Sequence, residues 1–476
     1  MLRSRTKLFI ENIVIYGFGG MLSRLIPFLM LPVITRLYPS SEYIGLNDLS
    51  TTFIQFASAL SVCGMYDAMF RLFFDDDNFD TQRKVCSTAM AFVIATTLVL
   101  TLLCFCLRET IADWYFGNTQ YVYLVDITAI GFLVNSTNQI VSAPTRIQNK
   151  RKIFLVTNTI SPLISYSIAI PLILNGYYIL AMPIATAISG ITLEVSFGIM
   201  NGRFFKGSFF DKQKLIELLK IGLPLMPNFL VYWVYNSADK LMISYILDTS
   251  ATGVYSVASR IGHISNLIYT AFSGGWLYFA YSTMNDDDQI QLKSNIFEYL
   301  GVVSFAATVA LTSISKFGFQ ILFTKEYYEG YIVVPYLFLS PLLLMLYQVL
   351  ANQFTILKKT YLNLLSLSAG ALLNVILNWI LIPIVGIEGA SVATLVGYIV
   401  SILLCIVILR NMELININSK VYANTLGFIT FFIAWRLFAH ESILCSIILG
   451  MIIECLYAVL YKDMIMSAIG KLKRNR

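Results

Sequence analysis

GFGGMLSRLIPFLMLPVI, residues 17–34, is apolar throughout apart from Ser23 and one full charge, Arg24. The run is long enough to cross a hydrocarbon core of about 30 Å. An arginine near the middle of such a run costs about 2.5–3.5 kcal/mol on insertion scales. The stretch therefore reads as a first membrane span whose charge has a use. Arg3, Arg5 and Lys7 precede it, as they would in a secretion signal. No small-residue cleavage pattern follows, and Pro27 and Pro32 interrupt the run, so it reads as a retained span.

The rest of the chain agrees. Hydrophobic residues make up 57% and charged residues 13% of the 476, with a mean hydropathy of +0.73. A soluble domain carries roughly 25% charged residues. So much apolar surface cannot be hidden from water, and the chain reads as an all-α integral membrane protein. The net charge of +6 does not point to nucleic acid, because the basic residues form short clusters between apolar runs. The seven cysteines lie in apolar runs without metal-ligand spacing, which suits core or lipid-facing positions.

Apolar runs near twenty residues long, separated by short polar breaks, predict about fourteen transmembrane helices. The first covers 12–36 and the second 44–70. The range 241–281 breaks near 248–252, and Leu241 to Leu247 complete the seventh helix. Loops on one side hold 23 Lys and Arg; those on the other hold only Arg36, Arg108, Lys316 and Lys325. The positive-inside rule then places both termini in the cytoplasm.

The two halves echo each other at one offset. EYIGLNDLS (42–50) matches ATGVYSVAS (251–259), QNKRK (148–152) matches ILKKT (356–360), and MPIATAIS (182–189) resembles ASVATLVG (390–397). In each pair the matching residues are 208 apart. Gly389, Ala393 and Gly397 are four apart and build a close-packing helix face, matched by Ala181, Ala185 and Ser189. The organisation expected is an N-lobe of six spans (1–206), a C-lobe of six spans (207–415), and two extra spans with a basic cytoplasmic tail (416–476). Six is even, so the lobes share one orientation, as in a transporter that works by alternating access.

Charges inside spans are functional candidates by default. Arg24 and Arg260 have several apolar residues on both sides, whereas Arg71, Glu217, Lys220, Arg436 and Glu454 lie near span ends and can snorkel or pair. Asn135, Asn138 and Gln139 share one face of the fourth span, and Gln348 and Asn352 share a face of the tenth. These amides suit sugar hydroxyls in a wet cavity or hydrogen bonds between helices, and the sequence leaves both readings open. Arginine forms bidentate bonds to phosphate, so Arg24 and Arg260 are expected to hold a phosphate or diphosphate. Asp239, Asn374, Asn378 and Thr394 all offer oxygen. That set suits a hard cation such as sodium; the other reading pairs Asp239 with Lys240 or Arg260 and leaves the asparagines to bridge helices.

Four stretches carry a family resemblance: LPVITRLYPSSEYIGLNDLS (31–50), GLPLMPNFLVYWVYNSADKLMISYILDTSATGVYSVASRI (222–261), LFTKEYYEGYIVVPYL (322–337) and LLNVILNWILIPIVGIEGASVAT (372–394). The chain resembles the polysaccharide-exporting branch of the multidrug/oligosaccharidyl-lipid/polysaccharide flippase superfamily, including Wzx-type O-antigen flippases. The resemblance implies a multi-pass protein of the bacterial cytoplasmic membrane that moves undecaprenyl-diphosphate-linked oligosaccharide for cell-surface polysaccharide. It implies a cationic cavity, onto which Arg24 and Arg260 map by span and depth. It implies a lipid-side groove at the last two helices, and contact with polysaccharide polymerase machinery. Some members of the superfamily resemble the oxygen set above, with an acid where Asn378 stands here. A functional monomer is expected, with no cofactor beyond a coupling sodium ion or proton.

Two other readings compete. A cation-coupled multidrug exporter of the same superfamily typically carries an acid in its first span, where this chain has Arg24. A membrane enzyme such as a polysaccharide polymerase needs an external active-site loop. The only histidines are His263 and His440, and no Ser/His/Asp set or phosphate-binding glycine loop is present. No enzymatic activity is expected.

Overall fold

The computed structural model describes residues 25–76, 78–284 and 286–462. Among these, every regular element is a helix. The order is α1 (Leu25–Leu37), α2 (Glu42–Val62), α3 (Met65–Phe73), α4 (Phe79–Cys106), α5 (Arg108–Phe116), α6 (Val122–Ile147), α7 (Arg151–Leu174), α8 (Ala181–Asn201), α9 (Lys212–Trp233), α10 (Asp239–Ile246), α11 (Thr249–Gly262), α12 (Asn266–Ser282), α13 (Gln289–Leu322), α14 (Val334–Ile356), α15 (Thr360–Val385), α16 (Ile387–Asn411), α17 (Ser419–Ala434) and α18 (Ile443–Leu460).

In a bilayer each backbone N–H and C=O must be satisfied within the chain, which favours helices for a sequence this apolar. Eleven helical stretches among the described residues are long and apolar enough to cross a membrane. A twelfth is the pair α2–α3, bent by 47° where Cys63 and Gly64 take left-handed backbone angles. The other two of the fourteen expected spans are the first, of which only α1 is described, and the eighth, broken at His263–Ser265 between α11 and α12. α9 and α10 join through a π turn at Val234–Ala238, so Leu241 onward does complete the seventh span. At the polar breaks Asn78, Asp211, Asn418 and Ser442 cap the helices that follow them.

The ranges recur. Shifted by 208 residues, α2 falls on α11, α4 on α13, α6 on α14, α7 on α15 and α8 on α16. By its contacts the chain forms two compact units, Met1–Ser256 and Val257–Arg476. In the first, α6 packs against α2, α4 and α8. One apolar core joins Met65 and Met69 of α3, Cys86 and Val93 of α4, Ile140 of α6 and Leu218 of α9. In the second unit, α14 is buried along nearly its whole length and packs against α12, α13 and α16. There α18 lies on α13, and Phe428 of α17 stacks on Phe305 of α13 at 4.4 Å. The Arg436 guanidinium reaches Glu388 through two bonds of 2.6 and 2.8 Å, which ties the π turn after α17, Trp435–Ala439, to α16.

The small-residue faces pack as expected. A Cβ on Gly389 would lie 2.6 Å from the backbone of Leu381 on α15. On the matching pair, Ser189 of α8 bonds Ser161 of α7 at 3.0 Å.

Candidate functional site

Among the described residues of the first unit, buried charge gathers just after the π turn. A π turn takes one more residue per turn than an α-helix, so it changes where the following side chains point. Asp239 and Lys240 come directly after it. Lys240 Nζ lies 2.9 Å from Asp48 Oδ2 of α2, with the two side chains 19% and 5% exposed. Asp239 is buried and accepts a hydrogen bond from the hydroxyl of Tyr255, which is fully buried on α11. Before the turn, the Trp233 ring lies tilted against Phe56 of α2 at 4.7 Å and donates from Nε1 to the Thr52 carbonyl at 3.4 Å.

The site thus holds two carboxylates, one ammonium and one phenol inside an apolar bundle. A buried pair such as Asp48–Lys240 is costly to break, because it would leave an uncompensated ion. Carboxylates placed in this way suit a proton or a hard monovalent cation.

Arg24 lies outside the described residues. Asn135 donates to Ser58 Oγ of α2 at 2.9 Å, within a hydroxyl network of Ser58, Ser61 and Ser136. Asn138 donates to the Gly190 carbonyl of α8 at 3.2 Å. Both amides therefore bridge helices, and Gln139 is half-buried.

In the second unit Arg260 is half-buried near the end of α11 and engaged. Gln348 donates to the Tyr269 hydroxyl at 2.5 Å, and the Asn352 amide nitrogen is buried without a partner. Three of the four expected cation ligands meet directly. Asn374 donates to Thr394 Oγ1 at 2.9 Å, and Asn378 donates to Asn374 Oδ1 at 3.2 Å. Asn378 Oδ1 is left buried with no donor. Asp239 belongs to the first unit, with Tyr255 and Lys240.

Asp48 and Tyr255 escaped the sequence reading. Asp48 was visible as an acid inside an expected span, within a stretch that carries both the repeat and the family resemblance, but nothing local marks it as part of a site. Its partner is 192 positions away. Tyr255 looks like any apolar-run tyrosine until α10 and α11 fold together.

A model of the family described as "Polysaccharide biosynthesis protein" matches residues 33–331, more than half of the chain. No curated protein matches. Among solved structures, the chain is similar to the lipid II flippase MurJ in an inward closed conformation, with a TM-score of 0.74 at 16% identity, covering 95% of this chain and 100% of that one. It is also similar to a multidrug resistance MATE family transporter in an inward-facing conformation, with a TM-score of 0.64 at 11% identity, covering 84% and 95%. An outward-facing conformation of such a transporter gives 0.58 at 13%, covering 87% and 96%. At these identities the structures show a common fold. With the family match, they identify this chain as a multi-pass membrane protein that belongs to the polysaccharide biosynthesis protein family.

Proposed function

We propose that the protein is a flippase that moves a lipid-linked oligosaccharide, carried on undecaprenyl diphosphate, across the bacterial cytoplasmic membrane for cell-surface polysaccharide. The observation that carries this reading is the polysaccharide biosynthesis family match on a fold shared with a lipid flippase and with multidrug transporters. The 208-residue repeat supports alternating access, and the charge asymmetry of the loops supports cytoplasmic termini. Arg24 and Arg260 hold the diphosphate by bidentate bonds, and the protein acts as a transporter rather than an enzyme.

Coupling is proposed to run on a proton or sodium ion. The buried carboxylates of the Asp48–Asp239–Lys240 set and the Asn378 oxygen left without a donor both favour a small cation. Such an ion drives transport only by binding one conformation better than the other.

The test is the lipid-linked glycan pool of a deletion strain. Undecaprenyl-diphosphate-linked repeat units should accumulate on the cytoplasmic side and surface polysaccharide should fall. The wild-type gene should restore both, and Arg260→Ala should not. An unchanged lipid-linked pool together with lost dye efflux would replace this reading with a multidrug exporter.

A further inference from the structure

Three turns of the first unit bring five tyrosines to one cavity. Tyr43, Tyr121, Tyr123, Tyr177 and Tyr178, with Gln120, line a space of about 270 Å³. Tyr38 backs it. Its ring stacks 5.8 Å from that of Tyr43 and lies edge-on to Tyr178 at 6.3 Å, while Tyr43 and Tyr178 are 5.2 Å apart. The backbone beneath is rigid. Gly176, at φ +85°, ends α7 in a Schellman turn, with Tyr177 N bonded to the Leu172 carbonyl and Gly176 N to that of Ile173. Asn118 caps the short turn that carries Gln120 and Tyr121, and the Tyr121 hydroxyl donates to Glu42 Oε1 at 2.6 Å. The bowl is thus formed before any ligand arrives.

Tyrosines also collect at membrane interfaces simply because one end is apolar and the other wet. That explanation predicts them in both repeats. At the positions 208 residues on from Tyr38, Tyr43, Tyr177 and Tyr178, the second repeat carries Ile246, Ala251, Val385 and Gly386. Tyr121 falls on Glu329, and Tyr123 alone has a tyrosine counterpart, Tyr331. The helices are duplicated and the other four lining tyrosines are not, so fold and interface do not account for those four.

We propose that this bowl is a carbohydrate subsite that takes one pyranose ring of the exported glycan. The proposal rests on the flippase reading and on its orientation, in which these turns face outside. A sugar ring has an apolar C–H face and a rim of hydroxyls, matching phenol rings with polar tips and the Gln120 amide. The cavity lies just below the roughly 300–1,000 Å³ of ordinary small-molecule sites, which fits one ring rather than a chain. Tyr123 and Tyr177, 73% and 61% exposed, stand at the rim where a second sugar would leave. The subsite would hold the glycan after it crosses and resist its return.

The experiment is saturation-transfer NMR on the full chain in lipid nanodiscs. The probes are the methyl glycosides of glucose, galactose, N-acetylglucosamine and rhamnose. At least one should receive transfer from the wild type. Tyr178→Ala, Tyr177→Ala and Gln120→Ala should each weaken that binding by roughly three- to tenfold, the scale of one aromatic or hydrogen-bonding partner. Tyr177 and Gln120 are exposed, so those variants fold even where Tyr178→Ala does not. Tyr422→Ala, an exposed tyrosine of α17, should leave binding unchanged. No transfer to any glycoside in the wild type, or equal transfer in the Tyr177 and Gln120 variants, overturns the subsite. Glycoside binding needs no transport, so a failed export assay with glycosides still bound would reject the flippase and leave the bowl.

Discussion

Gly45 and Gly253 meet backbone to backbone, and the contact repeats itself under the internal duplication. A Cβ on Gly45 would lie 2.0 Å from the Thr249 carbonyl oxygen, and one on Gly253 would lie 1.9 Å from that of Ser41. Residues 41 and 249 are 208 apart, as 45 and 253 are. The starts of α2 and α11 therefore cross through matching atoms, as the two surfaces of a twofold interface do.

Neither glycine can accept a methyl group without parting the two helices. Gly45→Ala and Gly253→Ala should each cost about 3 kcal/mol, the upper end for overpacking, because the obstacle is backbone rather than a movable side chain. Gly198→Ala and Gly427→Ala meet open space and should be neutral. Thermal melts of the purified variants in detergent check this. A Gly45→Ala protein as stable as Gly198→Ala would show that the crossing is looser than described.

The Asp48–Lys240 pair gives a second expectation. Asp48→Ala leaves a buried ammonium and should destabilise by about 3–5 kcal/mol. Asp48→Leu with Lys240→Met removes both charges and should recover most of that loss. The readout is the double-mutant cycle in thermal stability, with additive single effects counting against the pair.

Asp211 links stability to pH outside the membrane. It accepts from the backbone N–H of Lys214 and of Gln213, and lies 3.2 Å from Lys84. The Lys214 bond first, then Lys84, holds its carboxyl below the usual carboxylate value. A depressed folded value stabilises above the unfolded pKa, near pH 4, and that contribution is lost as pH falls through the folded value. Asp211→Ala should lower stability by about 1 kcal/mol at neutral pH, the usual worth of such a cap. The gap to wild type should stay constant above about pH 5 and close only below about pH 4. A gap that varies between pH 6 and 8 would assign the effect to another group.

Orientation is tested by labelling. In a cysteine-free background, single cysteines at Asn118 and Glu329 should react with an impermeant thiol reagent applied from outside. Cysteines at Lys152 and Lys358 should not. All four positions are exposed, apart from any membrane, so access depends on side alone. Reaction at Lys152 in sealed cells would invert the topology.

Much of the fold was legible because composition and run length report burial directly. The duplication was legible because Gly45, Lys150 and Ala185 each recur at one spacing. The break at His263–Ser265 was not, since no proline marks it. Gly262 there approaches Leu337 so closely that a Cβ would lie 2.7 Å away, a constraint set by a neighbour 75 residues on. The same limit hid the site. Asn374 and Asn378 share a face by spacing alone, so their meeting with Thr394 could be foreseen. Asp48 and Lys240 meet across 192 residues, just after a π turn that no local pattern marks. The tyrosine bowl gathers three separate turns, and no local pattern links Tyr43 to Tyr178.

That π turn has a consequence for reading related chains. Its extra residue lies between Trp233 and Asp239, so a relative with one residue fewer would run straight α-helix through this point. Everything after the deletion would rotate by about 100° about the helix axis, the angle of one α-helical residue. The ammonium opposite Asp48 would then swing aside, and a different position would take its place. A one-residue gap here in an otherwise clean alignment is a change of charge register, and chains on either side of it should not be expected to share their ion pairs.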